Sequence, residues 1–288
     1  MMNGYLLALL LGLVEGVTEF LPVSSTAHLR IAEALAGLDL SSGYWKMFTI
    51  VIQLGAILCL PFYFRRRIAD FLRTFPGGAR GAHTALDHPL SLTMIAFVVT
   101  AIPAWLLTKV IGKHLESLVI MGAALLIGGV AMWVIDALYE RGWPPRRAEQ
   151  MDNMNLGQAV WIGACQILSA VFPGTSRSMA TIAAGQLAGM SRAAALEFSF
   201  FLSMPTMAAA TLYDLYKSLR HHAGASAIGA GPANAREWLM LAIGFAVSFV
   251  VAYVVVAWFM RWVRRRGFAP FAIYRIIVGT AVLWWALR

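Results

Sequence analysis

Charge is scarce in this sequence. Only 13% of its 288 residues are Asp, Glu, Lys or Arg, about half the share found in a soluble domain. In their place 60% are hydrophobic, and the mean hydropathy is +0.70. That balance excludes a soluble globular protein. Cysteine is scarce too: Cys59 and Cys165 both fall in apolar stretches. This excludes a disulfide framework or a thiolate metal cluster and leaves two small buried hydrophobes. No basic residue precedes Arg30, and glutamates interrupt the first apolar run, so the N-terminus is not a standard cleaved signal peptide. The net charge of +9 does not imply nucleic acid, because the basic residues gather at the ends of apolar runs. That is the pattern of membrane topology and of anionic headgroups.

What is present is long apolar text: 48–64, 90–107, 118–138, 239–260 and 269–287. Crossing a bilayer takes about 20 such residues. The expected fold is an all-α polytopic membrane protein, one membrane domain over 1–288. It has about six transmembrane helices, near 45–64, 89–108, 116–139, 195–216, 237–262 and 269–287. Two segments at the N-terminus do not fit this scheme. The first, 4–21, carries glutamates and stops at Pro22; the second, 26–38, would be only about 20 Å long as a helix, against a core of about 30 Å. A helix–turn–helix that enters and leaves on one side accounts for both.

The polar stretch "RGWPPRRAEQMDNMN" breaks the chain in the middle, and the pattern then restarts. "GLVEGVTEFLPVSS" at Gly12–Ser25 and "GACQILSAVFPGTS" at Gly163–Ser176 align without gaps at an offset of 151, pairing Gly12 with Gly163, Glu15 with Gln166, Pro22 with Pro173 and Ser25 with Ser176. The order of the remaining elements also repeats, which indicates duplication over about 1–147 and 155–288. A re-entrant pair crosses zero times and three spans cross three times, so the copies are expected in opposite orientations, an inverted-topology repeat with its site near the midplane. Arginines support one placement. Arg65, Arg66, Arg67, Arg73, Arg80, Arg141, Arg146, Arg147, Arg261, Arg264, Arg265 and Arg266 fall on one side, against Lys109, Lys113, Lys217, Arg220 and Arg236 on the other. The positive-inside rule then puts the first group in the cytoplasm and both termini outside.

The polar residues inside this apolar chain are the functional candidates. Glu15 and Glu19 share a helix face at i and i+4. Each costs at least ~2.5–3.5 kcal/mol in a membrane, so either one is protonated and hydrogen-bonded to a neighbour or a cation neutralises them. Mg²⁺ or Ca²⁺ would suit such oxygen ligands. In "PVSSTAH", Ser24 or Ser25 can cap a new helix, Thr26 adds a hydroxyl, and His28 follows Ser25 by three, on the same face. In "PGTSRSMAT", Gly174 makes a turn, Thr175, Ser176, Ser178 and Thr181 supply hydroxyls, and Arg177 supplies a guanidinium beside a helix N-terminus. That is an anion site. Together the two turns describe phosphoryl transfer, where catalysis is mainly positioning and charge stabilisation. A lipid-phosphate transporter or flippase would use the same anion site but gains nothing from two carboxylates unless a cation is coupled. A structural scaffold leaves the buried charges unexplained. Gln53 and Asp136 read as interhelical hydrogen-bond partners, Glu197 as a carboxylate opening the fourth span, and His83, His88, His221 and His222 carry no assigned role.

"EGVTEFLPVSSTAH" and "PGTSRSMAT", with "VIQLGAIL" and "EFSFFLSMPTM", resemble the undecaprenyl-pyrophosphate phosphatase family, the bacitracin-resistance type of bacterial inner-membrane enzyme. The resemblance runs along most of the chain, and neither polar motif departs from the family's. It implies hydrolysis of the terminal phosphate of the lipid carrier pyrophosphate, so that the carrier returns to peptidoglycan synthesis. It further implies that Glu15 and Glu19 serve the divalent cation, with Glu19 also counted in the catalytic set. Ser25 and His28 would be nucleophile or base, and Arg177, with Ser176 and Thr181, would hold the pyrophosphate. The expected partners are the prenyl pyrophosphate lipid, the membrane and a second copy in a homodimer, with no nucleic acid. The site is expected to open to the periplasm.

Overall fold

The computed structural model describes residues 3–38, 43–78, 84–107, 117–220 and 232–288, with side chains omitted over 214–220. His83, His221, His222, Arg80, Lys109 and Lys113 lie outside the described residues, as do the side chains of Lys217 and Arg220. Among the described residues every element is helical apart from an isolated bridge between Ala148 and Met190. Six helices are long and apolar enough to cross a membrane: α3 (Gly43–Tyr63), α5 (Pro89–Leu106), α6 (Leu118–Glu140), α9 (Arg192–Arg220), α10 (Ala235–Val263) and α11 (Ala269–Ala286). Two more are apolar but short, α1 (Gly4–Thr18) and α7 (Leu156–Val171). At 1.5 Å per residue they reach only about 22–24 Å. Each is followed at once by a shorter helix, α2 (Ser25–Ala36) and α8 (Arg177–Leu187). One helix went unforeseen: the interval between the spans expected near 45–64 and 89–108 begins with α4 (Arg65–Thr74). Its apolar positions recur at helical spacing but are outnumbered by charge, so hydropathy alone conceals it.

The chain divides into two compact units. The first takes in 1–20, 28–63 and 203–257. Its core joins Leu7, Ala8 and Leu11 of α1 to Phe48 and Ile52 of α3 and to Met240 and Leu241 of α10. The backbones close tightly because small residues face each other. A Cβ on Gly12 would stand 2.7 Å from the Gly244 carbonyl, and Ser248 Oγ donates to the Ile52 carbonyl at 2.6 Å. In lipid, where apolar surface gives little drive to associate, such packing and hydrogen bonding hold helices together.

The second unit takes in 21–27, 64–202 and 258–288. Here α7 meets α5 as α1 meets α10 in the first: a Cβ on Gly163 would stand 2.5 Å from the Ala96 carbonyl, and Thr100 Oγ1 donates to the Gly163 carbonyl at 2.7 Å. Helices α6 and α11 pack through Gly122 and Gly279. Their ends are joined at Asp136, 1% exposed. Its Oδ1 accepts from Arg192 Nε at 2.8 Å and Gln186 Nε2 at 3.0 Å, and its Oδ2 from the Phe268 and Ala269 N–H groups at 2.7 and 3.2 Å. One carboxylate thus ties α6, α8 and α9 together and caps α11, which bears out its expected interhelical role. Asp136→Ala would leave two helix N–H groups and the Gln186 amide without their acceptor and Arg192 with only Glu140, at 3.0 Å, a loss of about 3–5 kcal/mol. Thermal unfolding in detergent should shift down by roughly 10 °C.

Glu197 differs from expectation. Helix α9 starts at Arg192, not near 195, so Glu197 lies in its second turn rather than at its N-terminus. There it accepts from Arg67 Nε at 2.9 Å, while Arg67 Nη2 reaches Asp152 at 2.8 Å. Burial alone would lower the Arg67 pKa, but the two carboxylates outweigh it and hold it above its ordinary range. His88 also finds a place: it is buried, and its Nδ1 caps α5 by accepting from the Leu90 N–H at 3.2 Å.

Candidate active site

Both polar turns belong to the second unit, and they share an unusual backbone. Among the described residues, Ser24 (φ 75°) and Ser176 (φ 68°) are the two positive-φ residues other than glycine. Each such position costs about 1–3 kcal/mol and persists only where its surroundings impose it. Each is also a helix cap. Ser24 Oγ accepts from the Ala27 N–H at 3.4 Å at the start of α2, and Ser176 Oγ from the Met179 N–H at 3.3 Å at the start of α8. The caps are therefore Ser24 and Ser176, one residue out of step with the gapless pairing of Ser25 and Ser176. Capping consumes one N–H of each helix start, and the remaining first-turn N–H groups keep the partial positive charge of a helix N-terminus.

What joins the turns is a residue that the motifs do not contain. Arg275 of α11 is 0% exposed. Its Nη1 donates to the Pro22 carbonyl of the first turn at 3.1 Å. Its Nη2 donates to the Gly174 carbonyl of the second at 3.2 Å and to the Ala124 carbonyl at 3.1 Å. Ser178 Oγ adds a direct link, donating to the Leu21 carbonyl at 2.9 Å. A fixed positive charge thus lies where both turns meet. The signal for Arg275 was available, since an ionisable residue within an apolar span is a functional candidate by default. Its partners, three carbonyls far apart in sequence, were not.

Gly174 is required where it stands. Its φ is +94°, and a Cβ there would lie 2.6 Å from the Met121 carbonyl. Gly174→Ala should cost about 1–2 kcal/mol from the left-handed backbone alone and more from the clash, read as a lower melting temperature in detergent.

Around this junction, Ser25 is 8% exposed at the first position of α2 and Thr175 is buried. Ser176 Oγ lies 3.0 Å from Ser178 Oγ. Arg177, partly buried, opens α8. Thr181, 1% exposed, shares a 2.7 Å hydrogen bond with Ser199 Oγ and donates to the Arg177 carbonyl at 3.0 Å. Its hydroxyl is committed to holding α8 against α9. Thr26 is exposed. The remaining candidates belong to the first unit. Glu15 and Glu19 are 0% and 7% exposed, one helical turn apart, with the Glu19 N–H donating to the Glu15 carbonyl at 2.9 Å. His28 is partly buried on α2.

Among the described residues no three His, Cys, Asp or Glu side chains converge as metal ligands. The carboxylates expected to serve a divalent cation are the two of α1, both buried. That donor set fits Mg²⁺, which is commonly held by one or two carboxylates plus substrate phosphate and water.

Residues 8–281 match the family model described as bacitracin resistance protein BacA. The chain is 69% identical over 290 residues to an undecaprenyl-diphosphatase of Koribacter versatilis (strain Ellin345), covering 100% of both chains. It is 42% identical over 277 residues to an undecaprenyl-diphosphatase of Sorangium cellulosum (strain So ce56), covering 96% of this chain and 85% of that one. It is 39% identical over 276 residues to an undecaprenyl-diphosphatase of Caldanaerobacter subterraneus subsp. tengcongensis, covering 96% and 94%.

Proposed function

The chain belongs to the family of the bacitracin resistance protein BacA, and we infer that it does what its relatives are named for. It is a multi-pass membrane phosphatase that hydrolyses undecaprenyl diphosphate to undecaprenyl phosphate and inorganic phosphate. The geometry that carries the reading is the meeting of two serine-capped helix N-termini around the buried Arg275 guanidinium. Nothing in that geometry favours a transporter.

In the proposed mechanism the diphosphate lies at the starts of α2 and α8. Their first-turn N–H groups and the Arg177 guanidinium bind its oxygens, with Ser24, Thr26, Gly174, Thr175, Ser176 and Ser178 shaping the cradle. Thr181 supports it by fixing α8. Arg177 strengthens its hold as charge gathers on the oxygens of the transferring phosphoryl group. Glu15 and Glu19 would hold a divalent cation, Mg²⁺ or Ca²⁺, which when bound supplies a further positive charge to the phosphate oxygens. Two routes fit these residues. In one, Ser25 Oγ bonds to the terminal phosphorus while His28 takes its proton and undecaprenyl phosphate leaves; water then frees the phosphate from Ser25. In the other, His28 takes a proton from water, whose oxygen bonds to the terminal phosphorus as undecaprenyl phosphate leaves. A serine needs such a base near pH 7. Radiolabelled phosphate trapped on Ser25 by rapid quench selects the first route, and a clean quench with full turnover selects the second.

We further place the protein in the bacterial inner membrane with both termini and the mouth of the site on the periplasmic side. This is supported by the exposed arginines at 65, 66, 73, 141, 146, 147 and 264–266. The inverted repeat over about 1–147 and 155–288, with α1–α2 and α7–α8 as re-entrant pairs, is supported by the two strained serine caps and by the matching contacts of Gly12 and Gly163.

Purified protein given undecaprenyl diphosphate and Mg²⁺ should release inorganic phosphate, and a chelator should stop it reversibly. Absence of release, with lipid translocation in liposomes, would defeat the enzyme reading. Release unaffected by chelator would remove the cation.

A further inference from the structure

Helix α4 carries charge that neither the fold nor the reaction uses. Its inner face is fully engaged. Phe71 is buried edge-on against Phe201 and His88, and Arg67 is held by Glu197 and Asp152. The end of the helix is pinned to the start of α5, where Thr74 Oγ1 lies 3.3 Å from His88 Nε2 and the Phe75 ring meets the His88 ring. Because α5 is a span and His88 caps it, α4 lies at the boundary of the hydrocarbon layer. Its outer face is different. Arg65, Arg66 and Arg73 are exposed with Asp70 as the acid among them, Leu72 stands 64% exposed beside them, and Phe75, just past the helix end, is 51% exposed on the side that its His88 contact leaves open.

We propose that this outer face of α4 docks anionic phospholipid headgroups. Arg65, Arg66 and Arg73 pair with lipid phosphates, while Leu72 and Phe75 enter the acyl boundary. Charge complementarity selects an anionic partner, and the interleaved apolar side chains select a lipid over a free anion. A phosphate in solution would satisfy the arginines and leave Leu72 and Phe75 in water, whereas an interfacial amphipathic helix settles both demands at once. The inner contacts matter as well. With Arg67 and Phe71 locked, the helix cannot roll, so its three outer arginines stay fixed relative to the headgroup plane.

The test is lipid binding to the full chain in detergent, titrated with phosphatidylglycerol or phosphatidylcholine and read by native mass spectrometry. Wild type should prefer phosphatidylglycerol by roughly tenfold or more. R65Q/R66Q/R73Q should bind the two lipids alike, and L72S/F75S should weaken both. Unchanged phosphate release by R65Q/R66Q/R73Q would show that the variant remains folded. R264Q/R265Q/R266Q, which alters exposed arginines elsewhere, should keep the preference. The proposal is overturned if the α4 variant keeps the preference, if the 264–266 variant alone loses it, or if glycerol phosphate competes as tightly as the lipid.

Discussion

Arg177→Ala should lower phosphate release by about a thousandfold or more while leaving the protein folded. Arg177 stands at the first position of α8, after the Ser176 cap and next to the junction that Arg275 and Ser178 build. The hydrogen bonds that join the two turns come from Arg275 and Ser178, and removing the Arg177 guanidinium leaves them in place. In the proposed mechanism what is lost is charge that binds the transferring group more strongly as it transfers, and such interactions act on the rate more than on binding. The fall should therefore appear in kcat, with the melting temperature almost unchanged. Arg177→Lys should recover part of the loss, because it restores the charge without the two-pronged fork. Turnover within tenfold of wild type in the alanine variant would remove Arg177 from the site.

The second large effect is expected at Glu19. Glu19→Gln keeps the size, exchanges one acceptor oxygen for a donor, and halves the carboxylate charge at the end of α1, where Glu15 and Glu19 are both buried. If the pair holds a divalent cation worth several kcal/mol to the reaction, the rate should drop about a hundredfold or more. The Mg²⁺ concentration for half-maximal rate should rise with it. Stability should move the other way. A carboxylate inside a membrane costs ~2.5–3.5 kcal/mol, and two within one turn repel, so without metal the glutamine variant should melt above wild type. A rate loss with an unaltered Mg²⁺ titration would take Glu19 out of the cation shell and leave it a general structural acid.

How far these residues were legible depended on the kind of signal each gave. Ser24, Ser176 and Gly174 could be located from the sequence because turn and cap chemistry is local: a proline, a small residue and a hydroxyl before an apolar run. The positive φ at both serines could not, since nothing in either tetrapeptide demands it. It occurs in turns that Arg275 and Ser178 tie together through the Pro22, Gly174 and Leu21 carbonyls. Helix α4 was hidden because its apolar stripe is narrow and its partner stripe, Phe201 and His88, is remote in sequence. Glu197 was given the wrong local role because its partner, Arg67, is 130 residues away.

The sequence by itself determined that this is a helical membrane protein with six spans, that two N-terminal segments do not fit the spanning pattern, and that two polar motifs set it in its family. Those facts follow from hydropathy, length and short-range spacing, which a bilayer about 30 Å thick converts directly into structure. Only the tertiary structure decided what the two turns share. Pro22, Ala124 and Gly174 are brought to one guanidinium from α11, and Asp136 fixes the starts of α9 and α11 and the end of α8. The physical reason is that a buried charge must find every partner within hydrogen-bond reach. In a folded membrane protein those partners are backbone carbonyls and distant side chains that no local pattern announces.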